Sequence, residues 1–225
     1  MGGVIAGTLA LALAVAISPM RTSAAIVVLL SDQARRAGLL YLAGFATGIA
    51  LATGVGLYLG TTVEFDEHYS SRTGVSVVLL VSGLLLLGFA SWSWMSRPQD
   101  SETPVLPRWM RSVESASPLV ALAVGFGLAV FSFKNLGLIL AAAFVIDQAD
   151  LSAVTMTLLA IAFIVVACLG VLLPVGWFVL AGARSTETLI GWKAWLTQYN
   201  GPVTAGATAL GGLYLAGTGL SGLLG

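Results

Sequence analysis

Apolar residues run almost unbroken through six stretches of this chain, near residues 3–30, 37–60, 73–95, 118–146, 151–182 and 202–224. Each meets the ~20 residues a helix needs to cross a bilayer. Between them stand the residues that end a span: Ser31-Asp32-Gln33 with Arg35-Arg36, Glu64 to Arg72, the Pro98, Pro104 and Pro107 segment, Asp147 to Asp150, and Arg184 to Asn200. The pattern predicts an all-α membrane protein of six transmembrane helices. The opening run lacks the basic start of a secretory signal and its apolar character resumes through Leu30, so it reads as a retained first span.

Composition sharpens this picture. Only 9% of the 225 residues are charged and 58% are hydrophobic, far from the ~25% charged of a soluble domain. The net charge is zero and no Lys/Arg run exists, which removes nucleic acid as a partner. One cysteine, Cys168, allows neither a disulfide nor a thiolate cage and reads as a small buried hydrophobe.

Basic residues set the expected orientation, because Lys and Arg in short loops stay on the cytoplasmic side. Arg35, Arg36, Arg97, Arg108, Arg111, Arg184 and Lys193 fall after the first, third and fifth spans, whereas the other face offers only Arg72. Both termini are therefore expected outside a bacterial inner membrane. Thr186 to Tyr199 places Leu189, Trp192, Leu196 and Tyr199 on one helical stripe, the pattern of an amphipathic helix at the headgroups. Trp109 and Met110 beside Arg108 and Arg111 suggest a second interfacial anchor.

The chain also repeats itself. Ala16-Ile17-Ser18-Pro19-Met20-Arg21 aligns with Val130-Phe131-Ser132-Phe133-Lys134-Asn135, and each is followed by an apolar run ending in Asp-Gln, at Asp32-Gln33 and Asp147-Gln148. Three spans per unit is an odd number, so the second copy inserts upside down: two inverted-topology three-helix repeats, 1–96 and 118–225, joined by a cytoplasmic linker, 97–117.

Polar residues inside the spans mark the candidate site. Arg21 and Lys134 each lie roughly 25 Å along their spans at 1.5 Å per residue, entering from opposite faces. By that count Arg21 falls toward the cytoplasmic side and Lys134 toward the outer side, and either would face a cavity or snorkel to the headgroups. Ser18-Pro19 predicts a break that frees a backbone carbonyl, and Pro174 a lesser kink. All ten acids fall in or beside loops, and the one histidine, His68, is in an acidic loop. A metal or alkali-cation pathway lacks ligands, and no cofactor is implied. Two cations without acidic partners suit an anionic group that arrives with the substrate. The small residues Gly44, Gly48, Ala52 and Gly56 in the second span, and Gly211, Gly212, Gly217, Gly219 and Gly222 in the sixth, predict close helix packing.

The Ser18-Pro19 break after Ile17, the arginine pair that follows, and the Lys134-Asn135 element opening the second half resemble the lysine exporter superfamily. Within it the chain is similar to the GAP family, the peptidoglycolipid or sulfolipid addressing proteins of actinobacteria. That resemblance spans essentially the whole chain. It implies a six-helix inner-membrane protein that delivers cell-envelope glycolipids outward, with Ser18, Pro19, Lys134 and Asn135 on the substrate path. Arg21 joins them by the charge argument and Ser132 by its alignment with Ser18. Where the family carries Asn-Pro-Lys-Asn this chain has Ser132-Phe133-Lys134-Asn135, so its second break is without a proline.

The expected function is export or translocation of an anionic amphipathic substrate, driven by the membrane potential or proton gradient because no nucleotide-binding motif exists. Export of small amino acids, or a non-transporting scaffold for a lipid-export complex, are the alternatives. A membrane enzyme is disfavoured, since no span carries a G-x-S-x-G, a histidine or a carboxylate pair. The expected partners are membrane lipids, the anionic substrate and a second copy in a homodimer.

Overall fold

The computed structural model describes residues 2–62, 72–95, 117–149 and 151–224, and among them every regular element is helical. The chain forms α1 (Gly2–Ala16), α2 (Pro19–Leu29), α3 (Ala34–Thr62), α4 (Arg72–Met95), α5 (Pro118–Val130), α6 (Phe133–Asp147), α7 (Ala153–Ala167), α8 (Leu169–Ala181), a short 3-10 turn (Gly182–Ser185), α9 (Thr186–Gln198) and α10 (Asn200–Leu224). The acidic loop with Glu64, Asp66, Glu67 and His68, the linker through residue 116 and the anchor at Trp109 and Met110 lie outside the described residues.

Three of the six apolar stretches are single runs in sequence but bent pairs in space. α1 and α2 meet at 54°, α5 and α6 at 65°, and α7 and α8 at 63°. Within α3, Ala34–Gly60 is long and apolar enough to cross a membrane, as is α10, and each bent pair passes the same test taken together, giving up to five candidate spans. In α4 the apolar stretch Leu79–Met95 is shorter.

The exterior is more apolar than water tolerates. Leu85 is 70% exposed and Leu180 85%, with Leu84, Leu158 and Leu213 also turned outward. Inside, small residues dominate, and polar side chains such as Thr8, Arg21, Thr53 and Asn135 are buried. This inversion belongs to helices whose solvent is lipid, where packing rather than water expulsion joins them.

Glycine makes that packing close. A Cβ on Gly44 would lie 2.1 Å from the Leu122 carbonyl oxygen, and one on Gly125 2.2 Å from that of Tyr41, so α3 and α5 approach backbone to backbone. Gly48 and Gly56 continue the same seam against Ala129 and Ala143. α4 and α10 join likewise, through Gly83 on Ala216 and Gly219 on Leu80, while Gly217 faces open space. The expected small-residue stripes are helix interfaces.

α9 is the amphipathic segment read from the sequence. Leu189 is fully buried and Leu196 half-buried against the core, while Trp192 and Tyr199 remain exposed. Its contacts run to α2, so it lies against the broken first span.

Candidate functional site

The site begins with proline. Pro19 opens α2 behind Ser18, which is extended at φ −141°, ψ 99° and makes no side-chain cap. Having no N–H, proline cannot bond the carbonyl four residues back, and here that carbonyl belongs to Val15. The guanidinium of Arg21 supplies the missing donor: Nη2 donates to Val15 O and also, at 3.1 Å, to Asn135 Oδ1. The amides of Arg21 and Thr22 both donate to Ser18 O, closing the first turn of α2.

The third bent pair repeats the device. Pro174 inside α8 leaves the carbonyl of Gly170 without its helical donor, and Thr22 Oγ1 donates to it at 2.9 Å. Gly170 must be glycine, since its Cβ would lie 2.1 Å from Ala16 O at the end of α1. Arg21 and Thr22, neighbours on one turn, thus each satisfy a carbonyl freed by a proline.

The second bent pair breaks without a proline. Ser132 is extended at φ −95°, ψ 105°, again with no side-chain cap, and the helix restarts as the amides of Asn135 and Leu136 donate to its carbonyl. The sequence count separated Arg21 and Lys134 onto opposite sides, and the structure corrects it: α1 packs against α6, and the Arg21–Asn135 hydrogen bond puts the first turn of α6 beside the break between α1 and α2. Arg21 therefore does not snorkel. It is 3% exposed, its Cζ lies 5.1 Å over the Phe45 ring, and its backbone carbonyl accepts from Tyr41 Oη at 3.0 Å.

Three donors in this cluster have no hydrogen-bond partner among the described residues: Arg21 Nε, Arg21 Nη1 and Lys134 Nζ, all buried. Lys134 feels the charge of Arg21, and among the described residues no carboxylate forms an ion pair with either. Two helix N-termini, of α2 and α6, add their positive ends to the same place. Two cations, two dipoles and three unpartnered donors make a centre that is incomplete without negative charge. Among the described residues no cluster of three metal-ligating side chains occurs.

Of the six residues read from the sequence, Arg21 and Asn135 are in contact, Lys134 adjoins them, and Ser18, Pro19 and Ser132 shape the two breaks. Sequence reasoning missed Tyr41, Phe45, Thr22 and Gly170. Their signals were present: Tyr41 and Phe45 lie four apart on one helix face, and the residue four before Pro174 is Gly170.

Bent apolar helices that bury two cations where two breaks meet define a helical membrane protein with a polar centre inside it. The chain belongs to the SfLAP family, described as Sap, sulfolipid-1-addressing protein, whose model matches residues 8–221. No curated protein and no solved structure matches it.

Proposed function

We propose that this protein is a transporter that translocates or exports an anionic amphipathic substrate, a cell-envelope (glyco)lipid, in keeping with the sulfolipid of the family's name. The observation that carries the reading is the cluster of the buried Arg21 guanidinium and the buried Lys134 Nζ, which among the described residues has no acid beside it and presents three unpartnered donors. A sulfate or phosphate headgroup brings the charge and the acceptors the cluster lacks. Broken helices at a repeat interface serve this purpose in other transporters, where half-helix N-termini address the anionic part of the substrate.

We read the architecture as six spans in two inverted repeats within a bacterial inner membrane, both termini outside, with α4 as the third span. Its support is the pair of extended serines, Ser18 and Ser132, each opening the second half of a bent span. The protein acts as a carrier, without chemistry on its substrate, and belongs within the lysine exporter superfamily.

The test is translocation of headgroup-labelled lipids in proteoliposomes, with sulfated, phosphorylated and zwitterionic lipids and free amino acids compared. Selective movement of anionic lipids supports the reading. Movement of amino acids alone assigns the protein to amino-acid export, and inactivity of a folded protein toward every substrate assigns it to a scaffolding role.

A further inference from the structure

The first turn of α2 has two sides. One carries Arg21 into the cationic cluster, and the other forms the wall of a cavity of about 680 Å³ between the α1–α2 break, α8, α9 and the start of α10. Leu13, Ile17, Leu173, Trp192, Trp195 and Val203 are among its lining residues. Two hydroxyl-bearing residues join them, and the hydroxyl of Thr22 is already spent on the carbonyls of Gly170 and Ser18.

Apart from Ser18 and the indole N–H groups the wall is alkyl and aromatic carbon, and a polar ligand placed there would go largely without its hydrogen bonds. Its occupant must be apolar, and the size falls within the ~300–1,000 Å³ of small-molecule pockets. Leu13, Ile17 and Leu173 are partly exposed at the rim, so the cavity opens through the lipid-facing side of the bundle. What surrounds an apolar exterior in a bilayer is acyl chain. The indoles of Trp192 and Trp195 stand on the amphipathic α9, the place where an aromatic side chain meets the end of the hydrocarbon region.

We infer that this cavity is a binding site for one acyl chain of a membrane lipid, held beside Ser18 and Pro19 while its headgroup addresses the helix break. The inference rests on the lipid-transport reading for its purpose. Chain and headgroup then occupy opposite sides of one turn, and the proline that exposes Val15 O to Arg21 also bends α1 from α2 and so opens the cavity. Because the wall is almost entirely apolar, the site accepts the chain of any headgroup class, and discrimination is left to Arg21 and Lys134.

The experiment is photo-cross-linking in phosphatidylcholine nanodiscs doped with phosphatidylglycerol, or in a second arm phosphatidylcholine, that carries a diazirine near the end of one acyl chain. Labelling of Trp192 and Leu196 is expected to saturate with probe dose for both headgroups, while labelling of Leu84 and Leu85 on the outside of α4 rises in proportion to it. Leu13→Trp and, separately, Val203→Trp fill the cavity and are expected to lower the saturable labelling about tenfold or more, the loss expected when two or more methylenes are denied burial. Unchanged α4 labelling verifies that each variant is folded, and the wild-type saturation stands as a readout if one is not. Labelling that never saturates, or that survives both folded variants, overturns the inference. Saturable labelling in a protein that translocates nothing removes the transport reading and leaves the chain site. Headgroup-selective translocation without saturable labelling does the reverse.

Discussion

Arg21 Nη2 donates to Asn135 Oδ1 at 3.1 Å, and the two residues occupy equivalent places, each third after an extended serine that opens a half-helix. They are also the residues that the sequence alignment of Ala16–Arg21 with Val130–Asn135 pairs with one another. Residues that a twofold axis exchanges meet each other when they stand near that axis, and this contact is the one the proposed inverted repeat calls for.

Among the described residues Asn135 is the side chain that accepts a hydrogen bond from Arg21, and its replacement separates folding from function. Asn135→Asp puts a carboxylate where the amide oxygen now accepts, pairing the cation internally. The expected result is a protein of equal or higher melting temperature in detergent with anionic-lipid translocation abolished. Asn135→Leu removes the acceptor and is expected to cost about 1.5–3 kcal/mol, as for a hydrogen bond to a charged group. Thermal unfolding beside a flux assay reads both.

The Thr22 and Pro174 pair gives a sharper test of the proline argument. Thr22→Val leaves the Gly170 carbonyl unpartnered and is expected to cost about 1–3 kcal/mol. In a Pro174→Ala background residue 174 regains an N–H that bonds Gly170 O, so the same Thr22→Val change should be nearly silent. A double-mutant cycle on unfolding is expected to show a coupling of about 0.5–3 kcal/mol, and additive costs would contradict the account.

Close backbone approach predicts opposite signs for two glycines on one helix. Gly44→Ala drives a methyl to 2.1 Å from Leu122 O and should destabilise by about 1–3 kcal/mol. At Gly54 a methyl meets nothing within 4 Å, so Gly54→Ala should be neutral or stabilising, by up to about 1 kcal/mol, through helix propensity. Melting temperatures of the two purified variants check the pair.

Much of this was legible in the sequence because a bilayer imposes a simple rule on length and hydropathy. The apolar stretches match the helices and bent pairs, and the amphipathic stripe from Thr186 became α9. The first break was visible in Pro19. The break at Ser132 carries no proline and was visible only through its alignment with Ser18. The bend at Cys168 hid within a continuous apolar run, since Pro174 tells which hydrogen bond is lost but not whether a neighbouring helix will supply a donor. For the same reason the partnership of Arg21 with Val15 and Phe45, and the hold of Tyr41 on its carbonyl, follow from how α1, α3 and α6 pack. Counting residues from each face placed Arg21 and Lys134 apart because it assumes straight helices, and the two breaks bring them together.

The central claim is that buried positive charge at the paired breaks recruits an anionic lipid. Its most direct measurement is the translocation rate of a sulfated or phosphorylated lipid in proteoliposomes for wild type, Lys134→Ala and Lys134→Arg at matched reconstitution. Strong loss in Lys134→Ala with substantial recovery in Lys134→Arg, and no effect of either on a zwitterionic lipid, is the predicted result. Equal rates in all three proteins would contradict it.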